Sequence, residues 1–124
     1  MPTGRSYSFP LSEAPGAPPV VDWQPALEEI LDDLRLNTPP GEIARAFHLG
    51  LATAIAAVAA WIGEEKVVLS GGCFQNAFLT EATIAALRRD GFTPYWHRMV
   101  PPNDGGLALG QAVWAAGMVE RGEV

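Results

Sequence analysis

The run from Leu49 to Ile62, LGLATAIAAVAAWI, carries no charged residue and constrains this chain more than any other stretch. It falls short of the ~20 apolar residues that cross a bilayer, and Arg45 and His48 sit just ahead of it, so it reads as a buried helix. The helix is expected from about Pro40 to Ile62, with Thr38 as its cap and Gly63 as its stop. Ile43, Phe47, Leu51, Ala54, Ile55, Val58 and Ile62 form a stripe, and alanines fill most other positions. A helix apolar nearly all round is covered on several sides, and alanines let neighbouring backbones pack close. His48 lies beside the stripe and reads as a hydrogen-bonded structural histidine, since no second histidine stands one turn away.

After the polar turn Glu64-Glu65-Lys66, Val67 to Leu69 look like a buried strand. Ser70-Gly71-Gly72 breaks the pattern, and a helix is expected from Ala77 to Arg89, with Leu79, Thr83, Ala86 and Leu87 inward and Gly91 as a left-handed cap. A strand that ends in paired glycines and feeds a helix is one way to build an anion or nucleotide site, because the backbone can approach a ligand closely. Many such turns use Gly-Gly for geometry only. Thr93-Pro94-Tyr95-Trp96 is a further strand, and His97 to Pro102 a stiff connection into Asn103-Asp104-Gly105-Gly106 and a last helix through about Val119. Leu107, Leu109, Ala112, Val113 and Ala116 are its apolar positions.

Asp104 has two readings. It can cap the last helix by accepting from Gly106 or Leu107 N–H, or it can serve as a ligand to a divalent cation. Two glycines in a first helical turn cost roughly 1 kcal/mol each against alanine. Something must therefore approach Gly105 and Gly106 closely, either another backbone or a ligand.

The front of the chain is different. Residues 1–19 hold Pro2, Pro10, Pro15, Pro18 and Pro19 with Gly4 and Gly16, and read as an extended segment in which Tyr7-Ser8-Phe9 forms a short edge strand. Residues 20–124 read as one lobe. Val20 to Trp23 is a candidate strand, and Asp22 is placed to cap a helix beginning at Pro25. In that helix Ala26, Leu27, Ile30, Leu31 and Leu34 share the inward face. Glu28, Glu29, Asp32 and Asp33 share a solvated face with no chemical role. The order helix, helix, strand, helix, strand, helix implies an α/β fold, a partly parallel sheet covered by helices, with both glycine loops at the carboxyl edge where ligands bind.

Composition narrows the function. The 124 residues suit one domain, and a net charge of −6 with no basic block argues against a nucleic-acid groove or an anionic membrane surface. Any phosphate would be held by backbone N–H groups, polar side chains or a metal. Cys73 is the single cysteine, so no intrachain disulfide forms. Together with an N-terminus lacking a signal-peptide core, this suits a reducing, cytoplasmic setting.

The strings Leu69-Ser70-Gly71-Gly72-Cys73-Phe74-Gln75-Asn76 and Val100-Pro101-Pro102-Asn103-Asp104-Gly105-Gly106-Leu107-Ala108-Leu109-Gly110-Gln111 closely resemble the C-terminal end of the hydrogenase-maturation carbamoyltransferases. Ile43 to His48 and, more loosely, Val21-Asp22-Trp23 extend the resemblance over nearly the whole chain. It implies a mixed sheet flanked by helices, one lobe of an actin/Hsp70-like (ribonuclease H-like) ATPase fold in which two α/β lobes close on a nucleotide. It puts Ser70, Gly71, Gly72 and Asn76 on the nucleotide-binding glycine motif, with Gly105 and Gly106 beside it, and Asp104 on the acidic residue near a divalent metal. The implied cofactors are ATP or AMP, as carbamoyl-adenylate, and that metal. The implied acceptor is the C-terminal cysteine thiolate of a partner maturation protein. Cys73 stands where the family carries a small or apolar residue and reads as packing rather than as a nucleophile.

The family's metal site also draws histidines from its other lobe, and this sequence holds only His48 and His97, with no paired ligand spacing. The family's acylphosphatase-like, zinc-finger and adenylate-forming domains are likewise not in this stretch. Carbamoyl transfer is therefore expected only with a protein partner that supplies the other lobe, or with a second copy. The alternative is a stand-alone or remnant lobe acting as a nucleotide-binding or protein-interaction module. The related tRNA-modifying transferases fit the FQN and PPNDGG strings less well.

Overall fold

The long apolar helix forms where the sequence puts it, Pro40–Ile62 (α2), and stops at Gly63 with φ 82°. In the computed structural model, which describes residues 4–123, it is preceded by β1 (Leu11–Ala14), β2 (Ala17–Val21) and α1 (Gln24–Arg35). It is followed by β3 (Lys66–Leu69), α3 (Ala77–Arg89), β4 (Thr93–Trp96) and α4 (Leu107–Glu120), with 3-10 turns at Gly72–Gln75 and Asp104–Gly106. Pro2 of the proline-rich segment lies outside the described residues. By length and composition α2 is the one helix among the described residues that could cross a membrane. Here its small-residue face is packed inside the fold.

The alanines pack close as expected, and of the expected stripe Ala54 is buried and Ile43 packs on a core cluster, but its larger residues are less covered. Ala46, Leu49, Gly50, Ala52, Ala54, Ala56 and Ala59 are the buried residues of α2, whereas Phe47 and Ile62 are exposed and Leu51, Ile55 and Val58 only half-buried. Small side chains let α3 and the N-terminal segment come close enough to bury backbone as well as methyl groups. At Gly50 the approach is extreme: a Cβ there would sit 2.5 Å from the Tyr7 carbonyl oxygen. The main core joins Ala56 and Ala59 of α2 to Leu69 of β3 and to Ala86 and Leu87 of α3.

All four inward residues read for α3 are buried. One of them, Thr83, has a hydroxyl with no hydrogen-bond partner among the described residues, an omission that costs about 1–3 kcal/mol. Helix α3 ends in the motif expected at Gly91: Gly91 N–H donates to Arg88 O and Phe92 N–H to Leu87 O, with Gly91 at φ 88°.

The strands form two separate pairs rather than one sheet. β3 and β4 are parallel, with Leu69 opposite Trp96, and α3 makes the crossover that parallel strands need. β1 and β2 form an antiparallel hairpin, irregular between Ser12 and Ala14, across from the prolines 18 and 19 that cannot donate to a ladder. The 19/20 boundary thus falls inside β2. Tyr7 to Phe9 form no strand. Tyr7 N–H instead donates to Ala46 O across α2 at 3.1 Å.

Helix α1 also departs from the amphipathic reading. Asp22 Oδ1 accepts from Gln24 N–H ahead of the helix, as its position suggests. Leu27, Leu31 and Leu34, however, are exposed, and the buried residues are Ala26 and Asp33. Asp33 is no solvated charge. Its carboxylate accepts from Arg5 at 2.6 Å, from the Tyr7 hydroxyl at 2.5 Å and from the Thr38 hydroxyl at 3.3 Å. Thr38 is consequently not the cap of α2. It closes α1, where Asn37 takes φ 55° and Thr38 N–H donates to Asp33 O.

This cluster fastens the extended N-terminal segment to α1 and responds to pH at both ends. The Tyr7 hydroxyl and the Arg5 guanidinium hold the Asp33 carboxyl below its ordinary 3.8 against the opposing effect of burial. Burial and the bond to Asp33 push Tyr7 up from 10.0 to about 12. A depressed carboxyl stabilises the fold above its ordinary value, and that contribution is lost as pH falls through the folded one. A raised phenol contributes fully below pH 10 and is lost as pH rises through about 12. The difference in phenolate absorbance between the wild type and Tyr7→Phe should therefore titrate near 12. A midpoint at the ordinary tyrosine value would mean that Tyr7 stands in water.

Candidate functional site

The register of the parallel pair sets the site. Leu69 pairs with Trp96, so the next residues, Ser70 and His97, leave the same edge side by side, and Ser70 Oγ lies 2.9 Å from His97 Nε2. A backbone bond from Gly71 N–H to Pro102 O, 2.7 Å long, ties the two loops together a second time. Between them opens a cleft of about 670 Å³, lined by both glycine loops together with His97 and Pro101. This is the carboxyl edge of a parallel sheet, where α/β proteins take their ligands.

The four glycines of the two loops are there for different reasons. Gly71 takes φ 99° and ψ 161°, a conformation open essentially to glycine alone. Gly106 is crowded by its own chain, since a Cβ there would lie 2.8 Å from Pro101 O. Gly105 is hemmed by Asn103 Oδ1 at 3.0 Å and Pro101 Cγ at 3.3 Å. Between a backbone and a ligand, the crowding at Gly105 and Gly106 is thus met from within. Gly72 has neither reason: its φ is not in the left-handed region, and nothing lies within 4 Å of its Cβ position. Its bare backbone borders the open cleft.

Asp104 does not cap α4. Asn103 takes the acceptor role, its Oδ1 receiving Gly105 N–H at 2.9 Å and its carbonyl receiving Gly106 N–H. The Asp104 carboxylate therefore has no side-chain hydrogen bond or ion pair among the described residues, and it lines the cleft. No second ligand set accompanies it, because no group of three His, Cys, Asp or Glu gathers anywhere in the described residues. These donors do not make a resident metal centre. One carboxylate is what a magnesium ion takes when phosphates and water complete its shell.

Asn76 lies outside that cleft. Its Oδ1 accepts from Leu79 N–H and caps α3, while its amide donates to His48 Nε2 at 2.9 Å. His48 Nδ1 lies 2.6 Å from Ala44 O, a carbonyl that can only accept, so Nδ1 carries the proton and Nε2 receives the Asn76 amide. His48 is the structural histidine the sequence suggests. Through it α2 holds the start of α3, and with it the turn that follows Gly71. Cys73 in that turn is exposed, so the packing role read for it does not hold.

His97 was legible only as half of an incomplete metal pair. The signal for its real neighbour is register: equal strands of four residues place the residue after each in the same row. Trp96 stiffens the row, with the guanidinium carbons of Arg98 at 4.6 Å and Arg88 at 5.5 Å from its ring centre.

The two kinds of glycine separate experimentally. Gly106→Ala should destabilise the chain in urea by about 1–3 kcal/mol, the cost of forcing a methyl into occupied space. Gly72→Ala should stay within about 0.5 kcal/mol of wild type. Equal losses at both positions would refute the open space at Gly72.

The family described as "Carbamoyltransferase, Kae1-like Domain, second subdomain" matches residues 2–111. The carbamoyltransferase HypF of Synechocystis sp. is 46% identical over 91 residues, 73% of this chain and 12% of that protein. HypF of Rhizobium leguminosarum bv. viciae is 38% identical over 100 residues, 77% of this chain and 13% of its own length. This chain thus spans about an eighth of these relatives. A solved structure of full-length HypF in its phosphate- and nucleotide-bound form superposes with a TM-score of 0.77 at 33% identity, over 94% of this chain and 16% of that one. HypF of T. kodakarensis superposes with a TM-score of 0.71 at 25% identity, over 97% and 16%. The chain belongs to the HypF carbamoyltransferase family and corresponds to the second subdomain of its C-terminal, Kae1-like domain.

Proposed function

We propose that this chain is one lobe of a carbamoyltransferase of nickel–iron hydrogenase maturation, and that it binds adenine nucleotide in the cleft between its two glycine loops. The observation that carries the reading is Gly72, whose missing side chain is explained by neither its own conformation nor its own neighbours. Around it, Ser70 and Gly71 on one loop and Gly105 and Gly106 on the other line a cleft with room for a phosphate chain. Asn76 supports the site from behind by fixing α3. That a relative's structure holds phosphate and nucleotide adds to the case.

When bound, carbamoyl-adenylate would supply the activated carbamoyl group, which would form a thioester-type bond to the C-terminal cysteine thiolate of a partner maturation protein as its bond to phosphate oxygen breaks and AMP leaves. This lobe contributes binding and orientation. Asp104, which lines the cleft, would offer one ligand to a divalent ion accompanying the phosphates. Because neither histidine of this chain completes a metal set among the described residues, turnover requires the other lobe, in a cytoplasmic setting.

A calorimetric titration with ATP and Mg²⁺ tests the reading. The wild type should bind, and Gly72→Ala should weaken binding about tenfold or more by placing a methyl against the ligand, without loss of stability. Asp104→Ala should weaken binding with Mg²⁺ and have little effect without it. No heat from the folded wild type would reject nucleotide binding by this lobe.

One observation favours the second reading, a lobe kept for its interactions. Helix α4 has no buried residue, with Leu107, Val113 and Trp114 each more than 60% exposed, and Val68 and Tyr95 lie exposed on the outer face of the parallel pair. Apolar surface of this kind finds a partner. Light scattering at micromolar concentration should give a mass above that of the monomer, and Trp114→Glu should restore the monomer. A monomeric wild type would count against this reading.

A further inference from the structure

The cleft that the proposed function assigns to nucleotide has an unusual charge for its task. No lysine or arginine lines it, Asp104 puts a carboxylate in it, and the chain as a whole carries −6. Phosphate charge that a bound divalent ion leaves uncompensated meets repulsion there unless some group of the cleft turns positive. Among the lining residues one side chain can do so, and that is His97. The two arginines beside this strand are engaged elsewhere: Arg98 stacks on Trp96, Arg88 of α3 lies over the same ring, and neither lines the cleft. On the facing loop Asp104 is the only acid, and it is the only other titratable side chain that lines the cleft.

The bond to Ser70 links that charge to a second donor. With Nε2 unprotonated, the ring accepts the Ser70 hydroxyl hydrogen, and serine shows the cleft only lone pairs. As imidazolium, both ring nitrogens donate, so Ser70 Oγ accepts from Nε2–H and its own hydrogen turns free to donate to an anion. Starting from the Nδ1–H tautomer, one protonation thus adds a charge and frees the Ser70 hydroxyl hydrogen, both in favour of phosphate.

We propose that His97, acting with Ser70, is a phosphate-contacting residue of this cleft, and that the pair couples nucleotide binding to proton uptake. The inference rests on the nucleotide reading and adds to it the group that offsets the phosphate charge. It also assigns Ser70 an active role as a switchable donor.

The test compares the chain with His97→Gln, whose amide can keep the bond to Ser70 but cannot charge. ATP with Mg²⁺ is titrated calorimetrically at pH 5.5 and pH 8, and the His97 ring is followed by NMR with and without ATP. Relative to the variant, which carries the titration of the phosphate itself, the wild type should bind about two- to fivefold more tightly at the lower pH, the size of an exposed charge-assisted contact. Bound ATP should move the titration midpoint of the His97 ring upward. Binding with the same pH dependence in both proteins, or an unmoved ring midpoint, would overturn the role of His97 and leave nucleotide binding standing. No binding by either protein at either pH would overturn both.

Discussion

The close contact between the alanine face of α2 and its neighbours is the constraint on which the rest depends. Ala52, Ala56 and Ala59 keep that face flat enough for α3 to lie against it, and Ala46 and Gly50 let the Tyr7 backbone cross it. The position of α3 then decides where β3 and β4 run, because Leu69, Ala86 and Leu87 share one cluster with Ala56 and Ala59. The larger residues Leu51, Ile55, Val58 and Ile62 are pushed to the other side. There they line an open apolar cleft of about 570 Å³ with Val21, Val67 and Val68. Such a helix buries shape rather than area, so the fold gains rigidity at the sheet edge while leaving much apolar surface uncovered.

How much of this was legible follows from what periodicity can measure. In α3 the inward residues Leu79, Thr83, Ala86 and Leu87 were readable because large side chains occupy the packed face. In α2 and α1 the rule inverts. Bulk marks the inward face only when a neighbour covers it, and in α2 the covering elements, α3 and the N-terminal segment, lie over the small side chains, while Leu27, Leu31 and Leu34 stay exposed. Asp33 was unreadable for a related reason. Its partners Arg5 and Tyr7 lie 28 and 26 residues away in a segment whose prolines announce extended chain and nothing about its destination.

At the site the sequence spoke clearly about place and poorly about role. Two strand-to-glycine junctions put both loops on one edge, and the structure joins them through Gly71 and Pro102 and through Ser70 and His97. Roles depend on atoms that composition cannot order. Asp104 and Asn103 are equally good caps on paper, and only the bond from Gly105 N–H to Asn103 Oδ1 leaves the acid free for the cleft. Glycines 72 and 106 look alike in the sequence, yet one is filled by Pro101 O and the other faces empty space.

The uncovered helix bears on the site as well as on partnership. Asp104–Gly106 runs without a break into Leu107, and Gly106 is wedged against Pro101, so the direction of α4 and the direction of the Asp104 carboxylate are set together. Among the described residues α4 packs substantially only against the turn that precedes it. Its orientation is therefore fixed chiefly at the end next to the cleft, and its far end, around Trp114 and Val119, is held by nothing larger than Arg121 over the Trp114 ring. In a two-lobed enzyme the surface that covers α4 would fix this lever along its length and with it the acid in the cleft. Covering α4 and arranging the cleft would then be one event.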